Sequence, residues 1–117
     1  MANEVKFFEI IGNNSKELGE FYSKVFDWNI LPPAGTMEYS LMDTKGENGV
    51  MGAVGSPFIN NESWITIYVT VDSIDEIMKK VVQNGGKVKV PKFTTDTGFT
   101  LAYIEDRNGN IIGLTEK

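Results

Sequence analysis

One order of elements, strand–helix–strand–strand–strand, is written twice along this chain, and no other feature narrows the choice of fold as far. In the first half, Val5 to Ile11 is a run of β-branched and aromatic residues that stops at Gly12-Asn13-Asn14. Asn14 and Glu17 form a capping box, and Leu18, Phe21, Tyr22 and Val25 recur at i, i+3, i+4 and i+7, which predicts a helix with those four on its buried face. Segments 28–31, 38–43 and 49–55 read as strands, and the polar stretch 56–63 as a linker. The second half repeats the order. Trp64 to Val71 alternates strictly, Ser73 with Glu76 opens a helix striped by Ile74, Ile77, Met78 and Val81, and Asn84-Gly85-Gly86 ends it. Three further strands are predicted over 87–90, 100–105 and 110–115. Phe7 then falls on Thr66 and Leu18 on Ile77 at one spacing, 59 residues, and Gly52 on Gly113 at 61. The expectation is one domain, 1–117, with module one at about 4–55, a linker at 56–63 and module two at about 64–116.

Composition removes several chemistries. Eleven Lys plus Arg stand against 16 Asp plus Glu, a net charge of -5, and no basic run exceeds Lys79-Lys80, so no nucleic-acid face is expected. No apolar run approaches the roughly 18 to 20 residues needed to span a bilayer, and Met1-Ala2-Asn3-Glu4 lacks the regions of a signal peptide. These features predict a soluble cytoplasmic protein without a membrane partner. The chain has no Cys and no His, which excludes disulfides, thiolate nucleophiles, zinc–thiolate sites and the side chain best suited to proton transfer near neutral pH.

Glu20-Phe21-Tyr22 in the first helix, Phe26-Asp27-Trp28 after it, and Glu105-Asp106-Arg107-Asn108-Gly109-Asn110 in the last hairpin, set in two βαβββ modules, resemble the vicinal oxygen chelate superfamily from Val5 to Glu116. That superfamily includes glyoxalase I, extradiol dioxygenases, and fosfomycin- and bleomycin-resistance proteins. The resemblance implies an α+β fold, two βαβββ modules forming a mixed sheet curled around a cavity with the helices outside. Metal-dependent members place one ligand on each of four strands, and those places fall here on Phe7, Gly52, Thr66 and Gly113. Gly has no side chain, Phe no donor, and a neutral Thr hydroxyl is a poor ligand alone. The resemblance therefore implies the metal-free branch, with no cofactor, and a homodimer.

Strand alternation puts Glu9 on the face of Phe7, where a carboxylate among aromatic rings could bind a cationic ligand, act as a general base, or pair with a Lys at a solvated mouth. Trp64, Thr66, Tyr68 and Thr70 share one face of their strand, opposite an all-aliphatic one, so that face looks into a cavity, a partner subunit or water. Trp64 fits a ligand wall or an interface; Tyr68 leans toward a ligand. Tyr39 shares a face with Leu41, and the sequence leaves open which side of that strand turns inward. Gly52 and Gly113 read either as bulges or as space for a ligand. The segment 91–98 resembles a loop over the rim, and Arg107 stands where relatives commonly have Pro.

The expected ligand-binding set is thus Phe7, Glu9, Tyr39, Gly52, Trp64, Thr66, Tyr68 and Gly113, with no metal ligand. The expected function is metal-independent binding of a small molecule, with sequestration of a toxic or antibiotic compound as one use. The alternative is a metal-free isomerase, epimerase or lyase in which Glu9 is the general base.

Overall fold

The computed structural model describes residues 2–33 and 38–117, and its elements fall into two compact units: Phe7–Ile65, and Thr66–Lys117 together with the residues before Phe7. Each module has the element order that the sequence predicts, α+β with a mixed sheet.

In the first unit, β1 (Val5–Ile11) leads into α1 (Ser15–Phe26), followed by β2 (Asn29–Ile30), β3 (Tyr39–Asp43) and β4 (Met51–Gly55). The strands lie in the order β2-β3-β4-β1, with β1 parallel to β4 and β3 antiparallel to it. Asn14, in the left-handed region at φ 58, caps α1 by accepting from the Glu17 N–H at 3.4 Å, and Asp27 at φ 62 closes it by donating to the Ser23 carbonyl at 2.9 Å. Ile10, Met42 and Val54 are buried beneath the helix, with Phe8, Leu18, Tyr22, Trp28 and Ile30 packed on them.

The helix does not bury the whole predicted stripe: Phe21 is 55% and Val25 54% exposed. Gly19 is the reason. It is the buried residue of α1, and a Cβ there would stand 3.4 Å from Val54, so the helix rides close to the sheet at this point. At 3.6 residues per turn, Leu18 and Tyr22 flank Gly19 on the inner side while Phe21 is carried to the outer one.

In the second unit, β5 (Trp64–Val71), whose first two residues cluster with the first unit, leads into α2 (Ile74–Gln83), β6 (Lys87–Thr94), β7 (Thr100–Glu105) and β8 (Ile111–Glu116). Its strand order is β5-β8-β7-β6, with β5 parallel to β8 and the other pairs antiparallel. Ser73 accepts from the Glu76 N–H at 3.2 Å, as the capping box predicts, and Glu116 accepts from the Ile74 N–H at 2.8 Å. Val71, Ile74, Ala102 and Leu114 form the core, joined by Val69, Ile77, Met78 and Ile104. Among the described residues no helix is long and apolar enough to cross a membrane.

Two expectations are corrected. The sheet is not curled into a closed wall around a cavity: among the described residues the ladder is open, and β2 and β6 each have a hydrogen-bonded neighbour on one side only. Both edges are poor templates for closure. The strand β2 is two residues long, and β6 carries Lys87, Lys89, Lys92 and Pro91, with register shifts between Val88 and Val90 and between Val90 and Phe93. Half of the segment expected as a rim loop, 91–94, belongs to this edge, since Phe93 pairs with Leu101 and Thr94 with Thr100.

The second correction concerns the overlay of the halves. Gly52 pairs with Phe8 on the α1 side of its sheet, whereas Gly113 pairs with Tyr68 on the side away from α2. They are therefore not equivalent. By pairing and face, the counterpart of Gly113 is Ala53, which lies beside Glu9.

A Cβ at Gly52 would fall 2.2 Å from the Phe8 ring, so Gly52→Ala is expected to destabilise by about 1–3 kcal/mol in urea denaturation, with Phe8→Leu in the same chain recovering part of the loss. The β7–β8 turn supplies a pH test. The Asp106 carboxyl is held below its ordinary range first by the Asn110 side-chain amide, then by the N–H groups of Asn110 and Asn108. A depressed carboxyl stabilises above its unfolded pKa, about 4, and that stabilisation disappears as pH falls through the lower folded value. Asp106→Ala should thus lower the melting temperature at pH 7, with the difference from wild type shrinking progressively below pH of about 4.

Candidate functional site

Because Phe8 and Ile10 are committed to the α1 core, strand alternation turns Glu9 to the opposite surface of β1. Glu9 is 1% exposed there. A carboxylate so deeply buried needs hydrogen bonds to replace its hydration, and two side chains from distant parts of the sequence provide them. The Tyr39 hydroxyl donates to Oε1 at 2.7 Å, and the Trp64 indole N–H donates to Oε2 at 2.8 Å.

Each donor is held in place by a local feature. Gly55 pairs with Tyr39, and a Cβ there would lie 2.6 Å from the Tyr39 ring, so the missing side chain is what lets the phenol cross the sheet surface toward Glu9. Trp64, buried at the start of β5, has the Phe58 ring against it edge to face, centroids 5.4 Å apart at 84°. Phe58 comes from the stretch expected to be a polar linker. Its signal was present in the sequence, since it is the one aromatic residue of 56–63.

Of the residues singled out from the sequence, the structure gathers Glu9, Tyr39 and Trp64, with Phe7 on the same face of β1 and half-buried. The side of β3 left undecided by the sequence is now fixed, with Tyr39 toward Glu9 and Met42 in the helix-covered core. Gly52 stands on the other surface, where the Phe8 ring fills its space.

Thr66, Tyr68 and Gly113 belong to the second unit. The Thr66 hydroxyl is engaged by the Ile111 carbonyl. The Tyr68 hydroxyl bonds to that of Tyr103, with ring centroids 5.7 Å apart and both residues buried, and the Tyr68 ring lies over Gly113. Tyr103 was not singled out from sequence. Its place between Ala102 and Ile104, both turned to the helix, marks it as facing the other way.

The four places where the superfamily carries metal ligands hold Phe7, Gly52 (Ala53 by face), Thr66 and Gly113, none with a donor suited to a divalent ion. Among the described residues no group of three or more His, Cys, Asp and Glu could hold a metal ion.

This chain has the fold of the vicinal oxygen chelate superfamily, the glyoxalase, bleomycin-resistance and epimerase group, and lacks that group's usual metal-binding residues. No family model matches the sequence. The protein CFP32 of Mycobacterium tuberculosis, provisionally named a glyoxylase, is 32% identical over 104 residues, covering 81% of this chain and 38% of the relative. The chain thus spans well under half the length of the curated relatives it matches. Among solved structures, the hypothetical protein BH1468 of Bacillus halodurans superposes with a TM-score of 0.70 at 20% identity, over 100% of this chain and 96% of that one. Methylmalonyl-CoA epimerase of Mycobacterium tuberculosis gives 0.68 at 12% identity, over 96% and 86%.

Removing the phenol hydroxyl in Tyr39→Phe leaves one oxygen of a buried carboxylate without that donor. Urea denaturation should show a loss of about 1–3 kcal/mol, and a loss near zero would mean that water replaces the hydroxyl.

Proposed function

We propose that this protein catalyses proton transfer at carbon without a metal, as an isomerase, epimerase or lyase, with Glu9 as the general base. The observation that carries the reading is the state of Glu9: a carboxylate 1% exposed, gripped at both oxygens, on an aromatic surface outside the two helix-covered cores. Burying a carboxylate is costly, and a chain that needed only a packed surface at this position would be served by an apolar residue. A fixed, buried carboxylate is suited to accept a proton from carbon next to a carbonyl. The substrate class is accordingly a small carbonyl compound or ester with one such hydrogen. Epimerases of methylmalonyl-CoA share the fold, which makes that thioester a suitable first probe. The same reading takes the protein to be a homodimer, for which Phe21, Val25 and Phe26, each more than half exposed, offer apolar surface.

A second reading is favoured by the rings themselves. Trp64, Tyr39 and Phe58 around a carboxylate also suit an organic cation held without chemistry, as in sequestration.

Proton NMR in D2O separates the two. With methylmalonyl-CoA and a panel of other carbon acids, the wild-type protein should exchange the acidic hydrogen for deuterium, and Glu9→Gln should slow exchange by about 10²–10⁴-fold while ligand binding persists. No exchange across the panel, together with a cationic compound that raises the melting temperature of wild type but not of Glu9→Gln, would establish the binding reading instead.

A further inference from the structure

We infer that Trp64 and Tyr39 make the two oxygens of Glu9 chemically unequal: Trp64 anchors Oε2 as a permanent acceptor, and Oε1, facing Tyr39, is the atom that takes the proton. This rests on the reading of Glu9 as a base and assigns the acting atom within it.

The argument begins with the donors. An indole N–H can only donate, whereas a phenol hydroxyl can donate or accept by rotating about its C–O bond. In the carboxylate form both oxygens are acceptors, and both observed bonds are satisfied, at 2.7 Å to Tyr39 and 2.8 Å to Trp64. Once the group gains a proton, one oxygen becomes a hydroxyl and the other a carbonyl. If the proton sat on Oε2, the indole would face a hydroxyl oxygen, a poorer acceptor, and Trp64 has no lone pair with which to answer the new donor. If it sits on Oε1, the carbonyl oxygen stays opposite the indole and Tyr39 rotates to accept from the new O–H. The second arrangement preserves both bonds, and in a buried site a lost bond is costly.

The supports are as unequal as the oxygens. Trp64 is buried and braced edge to face by Phe58, so its N–H direction is fixed, whereas the hydrogen on the Tyr39 hydroxyl can turn without moving the ring. In the step itself the substrate C–H bond breaks, its electron pair stays on carbon and spreads onto the neighbouring carbonyl, and the proton forms the O–H bond on Oε1. Return of the proton from Oε1 reverses the step, so no oxidant or co-reactant enters. Trp64 is a positioning residue in this scheme, and Tyr39 answers the change of charge.

Glu9→Gln tests the assignment because an amide copies the protonated acid, with one carbonyl oxygen and one donor. NMR of that variant should show the Trp64 indole N–H at its wild-type, hydrogen-bonded position, and the introduced NH2 group with cross-relaxation to the Tyr39 ring. Movement of the indole resonance to the position of a water-exposed indole, or cross-relaxation of the NH2 group with Trp64, overturns the proposal. Should the variant not fold, acidified wild-type protein gives the same comparison: the indole resonance holds while the Tyr39 ring carbon bearing the hydroxyl shifts, and the reverse pattern refutes it. Because these spectra need no substrate, failure of the oxygen assignment is distinct from failure of the base reading, which the deuterium exchange assay detects alone.

Discussion

The pairing of one buried carboxylate with a phenol and an indole organises the candidate site. Glu9 lies on a strand whose other side is occupied by the α1 core, so it cannot turn away, and it is only 1% exposed. A charge in that position is tolerable only if both oxygens are hydrogen-bonded. That requirement reaches outward: Tyr39 must cross the sheet, which calls for Gly55, and Trp64 must hold its angle, which calls for Phe58. Four segments of the first unit are thus tied to one side chain.

The second unit meets the same architectural problem with different chemistry. Where the first has Glu9 beside Ala53, the second has Tyr68 over Gly113, and the polar groups on that surface satisfy one another, Tyr68 with Tyr103 and Thr66 with a main-chain carbonyl. The two modules thus share element order, caps and strand pairing, while the surfaces away from their helices differ in charge.

Much of this was legible in the sequence because it depends on local periodicity. The capping residues Asn14 and Ser73, the limits of β1 and β5 and the repeated element order follow from patterns a few residues long. Glu9 was legible for the same reason, since alternation along one strand assigns its face. What the sequence did not disclose depends on partners distant in the chain. The face of Tyr39 is decided by the register of β3 on β4, the loss of Phe21 and Val25 from the core by the close seat of Gly19, and the role of Phe58 by a ring contact across a stretch that reads as linker. Likewise, similar spacing suggested that Gly52 and Gly113 correspond, but a one-residue difference in register puts them on opposite surfaces, the change to which strands are most sensitive.

The ring of Tyr68 over Gly113 also limits what this strand can accept. A carboxylate introduced at position 113 would begin with a Cβ 2.6 Å from that ring, so the side chain could enter only after Tyr68 had moved aside. Moving Tyr68 would in turn strip Tyr103 of its hydroxyl partner. A side chain at position 113 would therefore disturb two contacts at once, the seat of the Tyr68 ring and the Tyr68–Tyr103 hydroxyl pair. Packing that occupies the space of an absent side chain thus bars the introduction of one.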